Sequence, residues 1–372
     1  MSNMKFKIAD KNVGEGCEPF IIAEMSGNHN HNIKRALQII DEAKNAGASS
    51  IKLQTYTADT ITMNCRKPDF FVNESDSLWS DENLYDLYQK AHTPWDWHGE
   101  LFEYAKKRGI ICFSSPFDTT AVDFLEKLNA PAYKIASFEC VHIPLIKHAA
   151  KTGKPIIIST GLAEEDEIAE AVDAAKSAGN KNIMLLKCTS KYPALPEDAN
   201  LVTIPEMSKR FGVPVGLSDH TMGVDVSRQA VKYYGAVAIE KHVTLAENEG
   251  GVDEAFSLKP SELKELVDVC QQAAKSPANP EDNKSSAAHG KVHYGGTEAE
   301  QPSKAYRASV YFKSSIKKGE VITEQHIRVC RPGFGLKPKY FDQILGKVAA
   351  KDAEFGDRVT WESVQNVNAC SA

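Results

Sequence analysis

The chain has 372 residues, a formal net charge of −6 and a sequence pI near 6.0, a length that exceeds what one hydrophobic core usually organises, so a large domain plus a smaller one is expected. The mixed, slightly acidic charge offers no basic field for nucleic acid. No stretch approaches the ~20 apolar residues of a membrane span and no apolar leader follows Met1–Lys7, so a cytoplasmic protein acting on a small molecule is expected.

In chain order, short runs rich in Ile and Val recur at 20–23, 50–53, 110–113, 132–136, 155–159, 183–186, 213–217 and 236–239. Near-continuous apolar runs suit strands buried on both faces of a parallel sheet. Helical spacing falls between them at Ile33–Asn45, Trp97–Lys107, Thr120–Leu128, Glu164–Ser177 and Val224–Tyr234, with a last helix at Ser261–Ala274. Several stop at a glycine, as at Gly47, Gly109, Gly179 and Gly235. Eight strand–helix units predict a closed (β/α)8 TIM barrel over 1–275. The loop Thr55–Asn83 is oversized and long enough to lie across the barrel mouth. Residues 276–304 are polar and Pro-containing and read as a linker. From 305 to 372 a compact β-rich pattern follows, with a strand at Ser309–Phe312, a turn at Lys317–Glu320 and a Gly/Pro-punctuated stretch at Arg331–Gly335. The eight cysteines are scattered singly with no C-x-x-C pair, which reads as reduced thiols filling the core.

In such a barrel the chemistry gathers at the C-terminal ends of the strands. The runs end at Glu24; at Lys52 and Gln54; at Ser114-Ser115; at Lys134, leading to Ser137 and Glu139; at Ser159-Thr160-Gly161; at Lys187-Cys188-Thr189-Ser190; at Ser218-Asp219-His220; and at Glu240-Lys241-His242. Strand alternation puts Lys52 with Gln54, and Glu240 with His242, on one side. A buried lysine is too costly to keep without an anionic partner. Two lysines among hydroxyls therefore point to a substrate carrying phosphate and carboxylate, assisted by Ser159-Thr160-Gly161 ahead of a helix. The competing reading pairs Lys52 and Lys134 with Glu24, Glu139 or Glu240 as internal ion pairs. His220 and His242 end neighbouring strands, each beside an acid (Asp219, Glu240), and are the candidate metal ligands. With two imidazoles the site stays open and suits a hard divalent ion, Mn2+ or Mg2+. His29-Asn30-His31 has H-x-H spacing but lies several residues past the first strand, which favours loop hydrogen bonding. His289 and His293, in the linker, are expected to be solvated. Trp79, Trp95 and Trp97 either line a sugar or pack, packing being the commoner use.

The runs Ile21–Asn30, Lys52–Tyr56, Ser114–Phe117, Lys134–Ser137, Ile158–Gly161, Gly216–Thr221 and Glu240–His242 resemble, in order, the sialic acid synthase family. Its members condense phosphoenolpyruvate with an N-acetylated hexose to make nine-carbon 2-keto acids. The tail, through Ile316–Glu320 and Arg331–Gly335, resembles the antifreeze-like SAF (β-clip) domain those synthases carry. Ala23–Asn30, Lys52–Thr62 and Thr93–Phe117 are most similar to the branch that makes pseudaminic acid from 2,4-diacetamido-2,4,6-trideoxy-L-altrose. N-acetylneuraminate or legionaminate synthesis is the alternative, and a metal-dependent barrel hydrolase the more distant one. Such hydrolases add metal ligands on the middle strands, where this chain has Ser159 and Thr189. The resemblance implies that Lys52, Ser115, Lys134, Ser137, Ser159, Ser190 and Ser218 bind phosphoenolpyruvate and that His220 and His242 hold the metal. It implies that Glu24, Gln54 and Asp253 act at the sugar or the attacking water. It further implies that Arg331 reaches into the barrel of a partner subunit, giving a domain-swapped homodimer. Ser115 and Ser190 depart from the threonine and asparagine that many members carry, and the linker around 287–297 is longer than usual.

Overall fold

The computed structural model describes residues 4–72, 81–246 and 249–365; Trp79, part of the 55–83 loop and residues 366–372 of the tail lie outside them. An antiparallel hairpin of β1 (Lys5–Ile8) and β2 (Lys11–Gly14) opens the chain. The hairpin was not expected, because its strands are short and lysine-rich. Eight strands then close into a parallel barrel: β3 (Phe20–Glu24), β4 (Ser50–Thr55), β5 (Ile111–Pro116), β6 (Tyr133–Ile135), β7 (Ile156–Ser159), β8 (Ile183–Cys188), β9 (Val215–Ser218) and β10 (Ala238–His242). Closure pairs β10 with β3, setting Ala238 beside Phe20 and His242 beside Glu24.

The helices are α1 (Ile33–Asn45), α2 (Ala58–Ile61), α3 (Leu84–Ala91), α4 (Trp95–Arg108), α5 (Thr119–Lys127), α6 (Ile143–Lys151), α7 (Glu165–Ser177), α8 (Thr203–Phe211), α9 (Asp225–Tyr234) and α10 (Pro260–Lys275). Asn32 caps α1 by accepting from the Lys34 and Arg35 amides, and α4 stops at Gly109, whose φ of 71° is left-handed. The helices α6 and α8 were missed. Each carries a proline in its first turn, Pro144 and Pro205, where the missing N–H is tolerated but the helical pattern is broken.

Alternation along the strands sorts side chains into two cores. Ile21, Ile51, Leu53, Tyr133, Ile135, Ile156, Ile158, Leu217 and Ile239 face outward and pack on the helices. Phe20, Ile22, Phe113, Ile157, Met184, Leu186 and Ala238 face inward and fill the lower barrel, where Ile8 and Val13 of the hairpin join them. Polar residues one step further along each strand are therefore raised to the opposite mouth.

The C-terminal unit is built on β11 (Ser309–Phe312) paired antiparallel with β12 (Ile327–Cys330), and β13 (Val348–Ala349) paired with β14 (Val364–Gln365). Its core gathers Val310, Phe312, Ile316, Ile322, Ile327, Ile344 and Val359. The long loop after β4 serves as its seat, because Met63, Cys65 and Phe70 pack with Tyr311 and Cys330. Among the described residues no helix is long and apolar enough to cross a membrane.

Phe113→Ala empties a fully buried position in the inner core. The variant is expected to lose about 3–5 kcal/mol, seen as a lower urea midpoint at unchanged m; an unchanged midpoint would mean that the lower barrel is not packed.

Candidate active site

Several barrel strands end in an inward polar residue two positions beyond an inward apolar one. Glu24 follows Ile22, Ser115 follows Phe113, Ser159 follows Ile157, and Cys188 follows Leu186. On β10 the inward series is Ala238, Glu240, His242. Lys134 lies between outward Tyr133 and Ile135, and Lys52 between outward Ile51 and Leu53, so both amines point into the barrel.

There they meet two carboxylates. Lys52 Nζ is 3.0 Å from Glu24 Oε2 and 3.4 Å from Glu240 Oε2, and Lys134 Nζ is 3.1 Å from Glu240 Oε1. Ser218 donates to Glu240 Oε1 at 3.0 Å, and Lys52 donates to Ser115 Oγ at 3.3 Å. All these groups are buried. Burial alone would raise the Glu240 carboxyl, but Lys134 and Lys52 outweigh it and hold Glu240 far below the usual carboxylate range. At Glu24 burial wins over Lys52, with Glu240 adding repulsion, and the carboxyl is pushed up. Lys134 is lowered by burial against the pull of Glu240. The internal ion pairs weighed from the sequence therefore form, and they form at the mouth, where an incoming anion meets the same two amines.

Above this set lies a cradle of small groups. Gly161 donates its N–H to Ser137 Oγ at 3.2 Å. A Cβ at Gly161 would stand 2.1 Å from Ser190 Oγ and 2.8 Å from Ser137 Oγ, so only glycine lets the three segments converge. The Ser159 hydroxyl, 1% exposed, has no hydrogen-bond partner among the described residues. Unsatisfied buried hydroxyls are uncommon and mark places where a ligand completes the bonding.

His220 and His242 lie side by side, ring centroids 5.3 Å apart. His220 Nδ1 is 2.9 Å from the Thr189 carbonyl, which can only accept, so Nδ1 carries a proton; burial lowers this imidazole, but the neighbouring Cys188 and the Thr189 carbonyl outweigh it and hold it above its ordinary range. His242 Nδ1 is buried with no hydrogen-bond partner. Burial first, then repulsion from His220 and Lys52, holds this imidazole well below its ordinary range and keeps it neutral. A neutral imidazole nitrogen without a partner, as at His242, fits a divalent cation. Among the described residues no set of three His, Cys, Asp or Glu gathers as a cage, so an ion here would keep open positions.

The sugar-side candidates form a second group. Gln54 Nε2 donates to Glu24 Oε1 at 2.8 Å and to Ser26 Oγ at 3.1 Å, and Ser26 bonds in turn to Asp253. Asp253 Oδ2 is 3.6 Å from His242 Nδ1, and burial pushes its carboxyl up. Tyr192 and Phe256 wall the histidines, with Tyr192 4.4 Å from His220 and Phe256 5.0 Å from His242 between centroids.

Within the chain described, Arg331 enters the barrel mouth. Its guanidinium bonds Glu139 Oε1 at 2.6 and 3.1 Å and Tyr88 Oη at 3.1 Å. Phe138 and Phe117 lie 5.0 and 5.3 Å from it.

Some expectations are revised. Asp219 faces outward and binds Lys241 Nζ at 2.9 Å, so it positions the loop and does not join the histidines. His289 is not solvated, since Nδ1 bonds Tyr234 Oη at 2.9 Å. His29 uses both ring nitrogens locally, with Thr93 Oγ1 at 2.9 Å and the His31 amide at 3.1 Å, as loop hydrogen bonding requires. Trp95 stacks on Phe124 and Trp97 meets His29, both as packing. Cys188, Ser26, Tyr88, Phe117 and Tyr192 were missed. For Cys188 the signal was present, two positions beyond Leu186 on one strand.

A family model described as the NeuB family matches residues 39–281, and one described as the SAF domain matches 307–365. The pseudaminic acid synthase of Campylobacter jejuni subsp. jejuni serotype O:23/36 is 42% identical over 338 residues, 91% of this chain and 94% of that protein. The pseudaminic acid synthase of Helicobacter pylori is 40% identical over 333 residues, 90% of this chain and 94% of that protein. The crystal structure of spore coat polysaccharide biosynthesis protein SpsE from Bacillus subtilis, 32% identical, superposes with a TM-score of 0.82 over 97% of this chain and 99% of that one.

Glu240→Gln keeps shape but strips the charge that both lysines share. A loss of about 3–5 kcal/mol is expected near neutral pH. Because the folded Glu240 is held low, its contribution is fully present above the unfolded carboxyl value of ~4.3 and fades as pH falls below it. Urea unfolding of both proteins at descending pH should show the gap constant from neutral to weakly acid and narrowing below that value; a gap that widens with acid would contradict the ion set.

Proposed function

The chain belongs to the NeuB family, and from that premise we propose that it condenses phosphoenolpyruvate with 2,4-diacetamido-2,4,6-trideoxy-L-altrose, giving pseudaminic acid and inorganic phosphate. The observation that carries this reading is the pair of buried amines, Lys52 and Lys134, beneath the Gly161 cradle and the unpartnered Ser159 hydroxyl. Phosphate and carboxylate on one small molecule match that set. Relatives at 40–42% identity that bear the name pseudaminic acid synthase support the choice of sugar.

In this mechanism Lys52, Lys134, Ser115, Ser137, Ser159, Ser190 and Ser218 hold the phosphate and carboxylate with C3 facing the open-chain sugar. C3 attacks the aldehyde carbon, the aldehyde oxygen takes a proton, water adds at C2, and the C2–O bond to phosphate breaks to leave the 2-keto acid. Glu24, whose carboxyl is pushed up by burial, is placed to exchange that proton, with Gln54 fixing its orientation. Asp253 and Ser26 meet sugar hydroxyls on the same side, and Arg331 lies over the acylated end. His220 and His242 would hold a divalent ion, Mn2+ or Mg2+, which would supply Lewis acidity at this end of the site. We place the reaction in the cytoplasm, where phosphoenolpyruvate is available. N-acetylneuraminate and legionaminate synthesis are the same chemistry on other sugars and are the outcomes against which this one is tested.

Purified protein given phosphoenolpyruvate, Mn2+ and each candidate sugar should release phosphate fastest with the altrose derivative. His220→Ala should cut that rate by ~10³-fold or more while the far-UV spectrum is unchanged. Preference for N-acetylmannosamine or the mannose-configured diacetamido sugar would replace the substrate, and full turnover by His220→Ala would remove the metal role.

A further inference from the structure

Asn28 stands just past the end of β3, fully buried, and is not among the groups that meet substrate in the mechanism. Its Nδ2 donates to Val243 O at 2.9 Å and to Ser257 Oγ at 2.8 Å, while its Oδ1 accepts the Asp253 N–H at 3.1 Å. The amide cannot be turned round, because a backbone carbonyl only accepts and a backbone N–H only donates. Ser257, having accepted from Asn28, donates its own proton to Asp253 O at 2.6 Å. The backbone of Asp253 is thus held on both sides from one side chain, its N–H directly and its carbonyl through Ser257.

The loop after β3 and the segment leading into α10 are pressed together around this amide. A Cβ on Gly27 would stand 2.4 Å from Val252 Cγ2, and one on Gly251 would stand 2.6 Å from Asn28 Oδ1, so a side chain at either position would force the two apart. Further out, Asn30 Nδ2 donates to Glu249 O at 2.8 Å and Arg35 pairs with the Glu249 carboxylate. Those outer contacts are open to solvent and screened, whereas the Asn28 bonds are dry, which makes the amide the firmer fastening. With its backbone fixed, Asp253 turns Oδ2 to the Ser26 hydroxyl and stands 3.6 Å from His242 Nδ1. Ser26 in turn accepts from Gln54, which also reaches Glu24.

We propose that Asn28 is a positioning residue for sugar binding: it clamps the backbone on both sides of Asp253, so that this carboxyl stays in line with Ser26, Gln54 and Glu24. Its effect runs through Asp253. The Asn28 side chain makes no hydrogen bond to Lys52, Lys134 or the Gly161 cradle among the described residues, so the groups that hold phosphoenolpyruvate are left as they are when it is replaced. The clamp stands on the geometry alone; that it serves the sugar rests on the synthase reading, in which Asp253 meets sugar hydroxyls.

The test is Asn28→Ser in the full-length protein, assayed by phosphate release with whichever sugar the wild type turns over fastest. Loss of the clamp should raise the sugar KM about 10-fold, as removal of one or two buried hydrogen bonds would, and move the phosphoenolpyruvate KM by less than ~2-fold. On an Asp253→Ala background the same substitution should add less than ~2-fold to the sugar KM, because the carboxyl it positions is already gone. A parallel rise in both KM values, or the full rise on the Asp253→Ala background, would overturn the proposal. Ser257→Ala, which removes only the carbonyl half of the clamp, should show the same split at about 3-fold and carries the comparison if Asn28→Ser does not fold; equal KM values to wild type there would count against the clamp. Hydrogen exchange at the Asp253 amide, followed without substrate, should quicken about 10-fold in Asn28→Ser while peptides spanning 156–163 keep wild-type rates, and unchanged exchange at Asp253 would also overturn it. Should the wild-type protein release no phosphate with any sugar, the synthase reading fails while the amide exchange still decides the clamp.

Discussion

Two amines inside a β-barrel, balanced by two carboxylates, are the constraint around which the rest is arranged. Lys52 and Lys134 have lost their water, and Glu24 and Glu240 make that loss bearable. A buried ion set of this kind contributes little net stability compared with apolar packing, so its value lies in what it holds ready. Burial pushes the Glu24 carboxyl up against the pull of Lys52, so an anion approaching the same two amines competes with the carboxylate that holds its charge less firmly. Strand β10 fixes the geometry, because Glu240 and His242 share its inner face. Lys241 between them turns outward and locks to Asp219, so the strand cannot rotate without breaking a second buried pair.

Much of this was legible in the sequence for one physical reason, the two-residue period of a strand. Runs buried on both faces announced a parallel barrel, and the first polar residue past each run announced the rim. The same period, applied more strictly, assigns Asp219 outward and Cys188 inward. What alternation cannot give is convergence of distant loops. Tyr88, Phe117, Phe138 and Glu139 come from three connections and surround Arg331 from a fourth, and no local pattern records that meeting. Composition likewise reads 276–304 as a linker and gives no sign of the hydrogen bonds to Gln229 and Asn200, or of Gly290, Gly295 and Gly296 lying against barrel residues.

The C-terminal unit and the oversized loop are therefore parts of one device. The loop after β4 presents Met63, Cys65 and Phe70 to Tyr311 and Cys330, and backbone bonds between Ile61 and Arg331 and from Thr62 Oγ1 to Arg331 O, both 2.8 Å, set the depth to which the arginine enters. In the proposed reading the barrel would supply the anion and metal ligands, and the C-terminal unit the Arg331 guanidinium at the mouth.

The most direct test of the central claim is calorimetric titration of phosphoenolpyruvate into the wild-type protein and Lys134→Met, which keeps the volume and removes the charge. Loss of a charged hydrogen bond should weaken binding about 10- to 100-fold. Unchanged affinity in a folded variant would contradict the view that the buried amines are there for the substrate.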